Sequence, residues 1–397
     1  MTPDVIVIGA GAIGASTAKH LMEAGLRVLV LEKEREPAQH QSGRNSGVIH
    51  AGYNLKPGSL KAKYAVEGSR ELRTYCAERG IRVEQGGILV VAQTEAECKT
   101  LAELERRAQA NGVESRLLSE GELARIEPHA RGIQALHAPE GASFDAPAYV
   151  RSLLTEAVLG GTDVCYDVRV LEIVQANGGP VSVRTTDKTF TAPVVVNCAG
   201  LQADRLAGPL AADMRVIPFR GYYAELVPSR RYLVNSHVYA APDLNFPFLG
   251  VHLSRRVDGR VTAGPGAMLA FGREAYRFSE FNSRDLLSTF SWPGFYRMFK
   301  SARFWTLLRT EVAKSLSLRQ IWAEAKQLVP DLEPRDLVRS FAGNRAQLVS
   351  RSGALVDDIV VRETDTTIHV LNAVSPGLTC SLPFGRWIAE QAKGKLG

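Results

Sequence analysis

The sequence predicts an α+β protein in which an α/β nucleotide-binding domain of Rossmann-like βαβ type is interleaved with an antiparallel-sheet domain. Apolar, β-branched runs typical of buried parallel strands occur near the N-terminus and again at 194–198, whereas 214–264 alternates like an antiparallel sheet. The 397 residues suffice for two domains. We expect 1–85, 145–210 and 340–397 to form the first, and 86–144 with 211–339 to form the second, including a helical segment at 280–330.

The first 32 residues carry a complete βαβ unit. Two short apolar runs, Asp4–Ile8 and Arg27–Leu31, flank a helix-periodic stretch that ends before Gly25. The first strand leads into a glycine-rich turn made of Gly9, Ala10, Gly11, Ala12, Ile13 and Gly14. In such a turn the first glycine permits the tight bend, the second lets the backbone approach a pyrophosphate, and the third lets the helix pack on the strand. The helix N-terminus then faces the phosphates.

The residues after the second strand favour FAD over NAD. Glu32 ends this strand, where a carboxylate can accept hydrogen bonds from ribose hydroxyls. Lys33 follows the acid, which is commoner in flavoproteins. About ten residues further on, small and hydrogen-bonding residues suit a loop along the pyrophosphate and the ribityl chain. They are Ser42, Gly43, Arg44, Asn45, Ser46 and Gly47.

Composition and charge narrow the class of protein. The chain is 45% hydrophobic and 23% charged, with no apolar run of about 18 residues, so we expect no membrane-spanning helix. No leader segment is recognisable, which predicts a cytoplasmic protein. The five cysteines are scattered, which predicts neither a metal site nor a disulfide framework. The net charge of +6 suits an anionic partner, but no motif for nucleic-acid recognition accompanies it.

Four blocks, in order along the chain, resemble the L-2-hydroxyglutarate oxidases/dehydrogenases of the D-amino-acid-oxidase-like superfamily of FAD-dependent oxidoreductases. They are SGRNSGVIHAGYNLKPGSLKAK (Ser42 to Lys63), NFPFLGVHLSRRVDG (Asn245 to Gly259), GNRAQ (Gly343 to Gln347) and NAVSPGLTCSL (Asn372 to Leu382). The third block often reads GVRAQ in the family, so Asn344 replaces a valine in what we expect to be a turn beside the flavin.

The resemblance implies oxidation of L-2-hydroxyglutarate to 2-oxoglutarate, with hydride transfer to flavin N5 and electrons passed on to quinone or O2. Two alternatives stay open. One is a flavin-dependent amine or amino-acid oxidase on the same scaffold, and the other is a non-catalytic, membrane-associated flavoprotein. Anaerobic addition of each substrate class would distinguish them by which one bleaches the flavin.

The resemblance also implies how FAD is held. The cofactor would be non-covalent, with its adenine end on the βαβ unit and with backbone groups near Val168 at the adenine. The turn at Ala199 and Gly200 would pack against the pyrophosphate. Backbone N–H groups of the segment after Ser375, namely Pro376, Gly377, Leu378 and Thr379, would lie at the pyrimidine edge of the ring; proline itself contributes no N–H.

A 2-hydroxydicarboxylate substrate requires a base for its hydroxyl proton and cations for its carboxylates. His50 follows the Ser42–Gly47 loop and is the first candidate for the base, since imidazole titrates near neutral pH. His252, in the antiparallel domain, is the second. Either histidine could instead be a structural hydrogen-bonding residue.

For the carboxylates the candidates are Arg345, Lys61 and Arg220. A guanidinium forms bidentate pairs with carboxylates, which favours Arg345 as part of the catalytic site. Arg220 could equally pair with an acidic residue between the domains, and Lys61 could be a solvated lysine on a helix. Tyr222 or Tyr239 could donate a hydroxyl to the substrate.

A segment rich in aromatic and basic residues occupies 276–309. Ser291 and Pro293 predict a helix start, after which several apolar residues share one helical face: Phe295, Met298, Phe299, Ala302 and Trp305. Basic residues follow the other face: Arg297, Lys300 and Arg303. The pattern predicts either a helix on an anionic membrane surface, with the protein peripheral on the inner face of the cell membrane, or an amphipathic helix packed on the protein core.

Overall fold

The computed structural model describes residues 2–175, 179–244, 250–300, 311, 317–373 and 375–397. Its strands are β1 (Val5–Ile8), β2 (Val28–Leu31), β3 (Val48–Ile49), β4 (Val83–Glu84), β5 (Ile88–Ala92), β6 (Arg116–Ser119), β7 (Gln134–Ala138), β8 (Ala142–Phe144), β9 (Asp163–Cys165), β10 (Val170–Val174), β11 (Val181–Thr185), β12 (Thr189–Ala192), β13 (Val194–Asn197), β14 (Met214–Leu226), β15 (His237–Ala240), β16 (His252–Arg255), β17 (Val261–Gly264), β18 (Met268–Leu269), β19 (Leu337–Ser350), β20 (Val360–Glu363) and β21 (Thr367–Asn372).

The α-helices of the described residues are α1 (Ala12–Glu23), α2 (Leu60–Glu78), α3 (Glu95–Ala110), α4 (Glu120–Ile126), α5 (Ala146–Leu159), α6 (Ala203–Ala207), α7 (Ser283–Phe290), α8 (Pro293–Met298), α9 (Leu318–Leu328) and α10 (Ser381–Gly394). The predicted βαβ unit is therefore present. Gly25, with a φ of +81°, follows the C-terminal cap of α1, as predicted.

The first sheet contains β1 at its centre. Its order is β20-β21-β13-β1-β2-β9, and β1 pairs in parallel with β2 and β13. Side chains from α1, α2, α5 and α10 cover one face, and the small sheet β10-β11-β12 contributes to the apolar cluster on the other. Both faces of β1 are buried, which is why its sequence is continuously apolar.

The second sheet is mainly antiparallel, with the order β18-β14-β17-β16-β15-β5-β7-β6, and β19 pairs with β14. The β14–β19 ladder runs from Met214 opposite Ser350 to Leu226 opposite Leu337. Residues 340–350 therefore lie in a strand of this sheet, whereas the sequence prediction assigned them to the nucleotide-binding segments. We propose that the two domains follow these two sheets.

The expectation that Gly343–Gln347 forms a turn was wrong, because the segment lies in the middle of β19. Gly343 is opposite Gly221 of β14. A Cβ on Gly343 would lie 2.1 Å from the carbonyl oxygen of Arg44. The glycine is needed where the Ser42–Gly47 loop crosses the strand, not for a reversal of the chain.

The aromatic segment packs on the second sheet as far as Met298. Trp292, Phe295 and Met298 are buried in one cluster with Ile217 and Val349. This part of the predicted apolar face is therefore protein core. Phe299 caps α8 and packs against the same cluster, whereas Ala302, Arg303 and Trp305 lie outside the described residues. Among the helices of the described ranges, none is both long and apolar enough to cross a membrane.

Candidate active site

A cleft of about 1590 Å³ lies between the two sheets. Its walls are the glycine-rich turn after β1, the Ser42–Ser46 loop, the turn before α10, and one face of β14, β15, β16 and β19. Pockets for ordinary small ligands measure roughly 300–1,000 Å³. The cleft therefore has room for a dinucleotide together with a small substrate.

The glycine-rich turn is shaped by close backbone contacts. Gly9 has a φ of +100°, and a Cβ there would lie 2.7 Å from Cys198 O. A Cβ on Gly14 would lie 1.9 Å from Gly9 O, so only glycine lets α1 pack this closely on the turn. Gly11 lines the cleft, and its Cβ position is 3.1 Å from Ser42 Oγ. The turn thus leaves space for a phosphate at the N-terminus of α1.

Ser42 and Asn45 order the loop that faces this turn. Ser42 Oγ accepts a hydrogen bond from the Ala12 N–H at 2.9 Å. The Asn45 amide donates to Gln41 O at 2.9 Å and to Ser42 O at 2.8 Å. Its oxygen accepts from the Gly47 N–H at 2.8 Å. Gly47 therefore shapes the loop, whereas Ser42, Arg44, Asn45 and Ser46 line the cleft.

Glu32 is held by backbone donors at the end of β2. One carboxylate oxygen accepts from the Ala10 N–H at 2.6 Å, and the other accepts from the Glu34 N–H at 3.0 Å. The side chain is buried yet lines the cleft. Val168 lies beside it and donates its N–H to Glu32 O at 2.9 Å, so this N–H is already used. The arrangement fixes a carboxylate where a ribose would bind.

Lys33 lies inside a cluster of charged side chains. Carboxylate and imidazole atoms of Glu34, His40 and Glu274 lie within 4.8 Å of one another, close enough to hold a metal ion. The Lys33 ammonium contacts Glu34 and lies 2.6 Å from His40 Nε2 and 3.0 Å from Glu274 Oε2. Burial would raise the pKa of Glu34, but hydrogen bonds from Lys33 and His40 lower that pKa to about 2. A lysine thus supplies the positive charge of this cluster.

The turn before α10 forms another part of the cleft wall. Ser375, Pro376, Gly377, Leu378 and Thr379 all line it, as do Ala199 and Gly200. Thr379 Oγ1 accepts from the His50 N–H at 3.2 Å. A Cβ on Gly68 of α2 would lie 2.1 Å from Thr379 O, so α2 packs directly against this turn. The N-terminus of α10, with its partial positive charge, therefore lies next to this part of the cleft wall.

His50 and His252 both line the cleft. Burial lowers the pKa of His50 to about 4, and the nearby Lys61 lowers it further in the same direction. Burial also lowers the pKa of His252 to about 4, although Nδ1 is 3.2 Å from Gly250 O. The His252 ring stacks on Tyr239, with 4.2 Å between the ring centroids. Both imidazoles are neutral at neutral pH and can accept a proton.

Two of the three predicted cations line the cleft. Lys61 is only 6% exposed, and its ammonium donates to the carbonyl oxygen and to Oδ1 of Asp357, both at 2.8 Å. It is a buried, paired lysine and not a solvated one. Burial lowers the pKa of the Arg345 guanidinium, and Asp357 opposes that shift. Arginine nevertheless stays charged at any pH of interest.

Arg220 and Tyr222 do not line the cleft. Successive side chains of a strand point to opposite faces, and the face of β14 that lines the cleft carries Phe219, Gly221 and Tyr223. Arg220 is fully buried and donates to Ala275 O at 3.3 Å and to Arg277 O at 2.5 Å. The structure therefore does not place Arg220 or Tyr222 beside a substrate. Because side chains alternate along a strand, counting from Gly221 would have predicted Tyr223, and not Tyr222, as the tyrosine that faces the cleft.

A family profile described as "DAO: FAD dependent oxidoreductase" matches residues 4–391. The chain belongs to this family. It is 39% identical to an L-2-hydroxyglutarate dehydrogenase of Indibacter alkaliphilus, with 98% of each chain covered. It is 36% identical to that of Escherichia coli K12 (99% of this chain, 94% of the relative) and 34% identical to the human mitochondrial one (99% and 89%).

Solved structures show the same fold. An L-alpha-glycerophosphate oxidase from Mycoplasma pneumoniae with FAD bound matches with a TM-score of 0.80 at 25% identity, covering 100% of this chain and 95% of the other. A glycine oxidase from Geobacillus kaustophilus matches with a TM-score of 0.75 at 19% identity, covering 99% and 95%.

The cleft of this FAD-dependent oxidoreductase fits its cofactor. The glycine turn, Ser42 and Glu32 suit a pyrophosphate and a ribose, and the turn at 375–379 lines the same cleft. Sequence reasoning missed four residues that stand close to Lys33 and Arg44: His40, Gln202, Glu274 and Tyr276. No spacing relates them, because they meet only through the tertiary fold.

Proposed function

We propose that this FAD-dependent oxidoreductase converts L-2-hydroxyglutarate to 2-oxoglutarate. The observation that carries the proposal is that two neutral histidines, His50 and His252, share one cleft with two cations, Lys61 and Arg345. A dicarboxylate with a hydroxyl between its ends needs this combination of a base and two positive charges. The names of the relatives, at 34–39% identity over nearly the whole chain, support the same substrate.

Bound FAD would accept the hydride from C2 of the substrate. We assign the hydroxyl proton to His50, whose backbone N–H donates to Thr379 Oγ1 in the turn before α10. His252 on the facing sheet is the alternative base. Arg345 would hold one carboxylate through a bidentate pair. Lys61 would hold the other once Asp357, whose side chain is 64% exposed, moves aside.

Anaerobic titration followed by flavin absorbance tests the proposal. L-2-Hydroxyglutarate should bleach the flavin, and the D-enantiomer should not. The base must contact the hydroxyl while flavin N5 faces the hydrogen on C2, and only one enantiomer satisfies both conditions in the same binding mode. Equal bleaching by both enantiomers would contradict the stereochemical assignment. Bleaching by an amino acid and not by the hydroxyacid would favour the amine-oxidase alternative. No reduction by any of them, with FAD bound, would favour the non-catalytic flavoprotein.

We propose that the protein lies peripherally on an anionic membrane surface and passes its electrons to quinone or to O2. Phe281 and Leu287 are 72% and 71% exposed, and Tyr296 is also exposed, which supports an apolar surface on the segment around α7 and α8. Arg297 lies in α8, and Lys300 follows that helix in the sequence.

The protein should pellet with anionic vesicles and dissociate as salt rises, because salt screens surface charges over about 10 Å at 0.1 M. Replacing Arg297, Lys300 and Arg303 with glutamine should remove most of the binding, at about 1 kcal/mol per basic residue. Reduction of the flavin by substrate should survive. Vesicle binding equal to that of the parent would contradict the proposal.

A further inference from the structure

A short segment that follows the antiparallel sheet contacts the nucleotide-binding side beside the cleft. This segment, Arg273–Arg277, lies between β18 and α7, and we call it the strap. Glu274 Oε2 lies 3.0 Å from the Lys33 ammonium, and Oε1 accepts from Gln202 Nε2 at 2.8 Å. The Tyr276 hydroxyl lies 2.6 Å from His40 Nδ1. The strap thus contacts the segment that follows Glu32.

Arg44 adds a further contact across the same boundary. Its guanidinium lies 4.1 Å from the centroid of the Tyr276 ring, a cation–π distance. Burial would raise the pKa of Glu274, but Lys33 and Gln202 lower it, so this carboxylate is charged at neutral pH. The strap is therefore joined to the nucleotide side by a charged pair, a hydroxyl–imidazole hydrogen bond and a cation–π contact.

Two buried side chains hold the backbone of the strap from the other side. Asn344 Nδ2 donates to Arg273 O at 2.9 Å and to Ala275 O at 3.1 Å. Arg220 donates to Ala275 O and Arg277 O. A valine at 344 could not make these bonds. The strap thus accounts for Asn344 and Arg220, two residues that the proposed reaction does not use.

The side chain of Arg273 fixes the start of the strap. Its guanidinium is buried and pairs with Asp204, with Nη2 2.8 Å from Oδ2, and donates to Leu201 O at 2.5 Å. Leu201 and Gln202 belong to the 3-10 turn Gly200–Gln202, which lines the cleft. The strap is therefore anchored to the wall of the cofactor cleft.

We propose that the strap is part of the FAD site and retains the AMP half of the cofactor, with Glu274 and Tyr276 as the residues that keep it closed. Glu274, Lys33 and Gln202 line the cleft next to Glu32, the carboxylate placed for the ribose. In this proposal, FAD leaves this end of the cleft only after Glu274 separates from Lys33 and Tyr276 separates from His40. The proposal rests on FAD binding and not on the identity of the substrate.

The rate of FAD release tests the proposal with Glu274→Gln, Tyr276→Phe and the double variant of the holoenzyme. Release is followed by the rise of free-flavin fluorescence after dilution. We expect roughly threefold to tenfold faster release for each single variant and more for the double variant, at about 0.6 to 1.4 kcal/mol per contact.

Matched controls lie outside the cleft. Tyr232 also has a histidine and an arginine beside its ring, His129 at 5.4 Å and Arg230 at 5.9 Å, so Tyr232→Phe is the control for Tyr276. Glu225 pairs with Arg231 at 2.9 Å, so Glu225→Gln is the control for Glu274. Neither control should change FAD release.

The melting temperature separates retention of FAD from simple packing. We expect the rise in melting temperature on adding FAD to the apoprotein to be smaller in the double variant than in the parent. Release at the parent rate, or equal acceleration by the controls, would overturn the proposal. An equal loss of melting temperature in the apoprotein and holoenzyme, with unchanged release, would make the strap a packing element only.

Discussion

Lowering the pH should barely slow the reaction if a buried histidine is the base. The base must be neutral to accept the hydroxyl proton, so activity falls as pH falls through its pKa. Burial lowers the pKa of both His50 and His252 from 6.5 to about 4. The loss should therefore begin well below the range where an exposed histidine titrates.

The size of the effect follows from these values. At pH 5.5 a histidine of pKa 4 is about 97% neutral, whereas one of pKa 6.5 is about 9% neutral. Between pH 7 and pH 5.5, the rate would fall about eightfold if the base were a histidine of pKa 6.5. It would fall by about 3% if the base had a pKa of 4. The substrate stays mainly ionised over this interval, because ordinary carboxyl groups have pKa values near 4.3.

Anaerobic stopped-flow reduction of the flavin gives the measurement, since the second-order rate constant reports ionisations of the free enzyme. Retention of bound FAD at pH 5.5 shows that the fold survives. A fall of about eightfold by pH 5.5 would refute the reasoning, because the base would then titrate like an exposed histidine. His50→Ala should slow reduction by roughly two to four orders of magnitude, and a change below about fivefold would assign the role to His252.

Three substitutions test other parts of the cleft. Arg345→Lys keeps the charge but loses the bidentate pair. The substrate Kd from anaerobic titration should therefore rise about tenfold, since a hydrogen bond to a charged group contributes about 1.5–3 kcal/mol. Unchanged Kd and turnover would place Arg345 outside the substrate site. Asp357→Asn should lower that Kd roughly twofold to fivefold by removing a partly exposed competitor for a substrate carboxylate, and weaker binding would show that Asp357 orients its lysine instead. Gly11→Ala places a Cβ 3.1 Å from Ser42 Oγ and narrows the phosphate approach. Flavin content after purification should fall, whereas Gly121→Ala, which meets nothing within 4 Å, should keep it, and full occupancy in Gly11→Ala would refute this role.

The sequence alone determined the features that depend on local periodicity and on turns. The βαβ unit, its glycine turn, the extent of α1 and the helix that carries Lys61 follow from spacing over a few residues, and the structure confirms them. Cofactor and family followed from motifs that stand in a fixed order. These features can be predicted from the sequence because each depends on residues that are close together in the chain.

Only the tertiary structure decided which side of a strand faces the cleft and what each buried charge contacts. Because side chains alternate between the two faces of β14, Arg220 and Tyr222 lie on the face away from the cleft and Tyr223 lines it. The β14–β19 ladder made a strand of the segment expected to be a turn. The strap brings Tyr276 to His40 across 236 positions of sequence. Such contacts depend on strand register and on the packing of distant segments, which no spacing along the chain encodes.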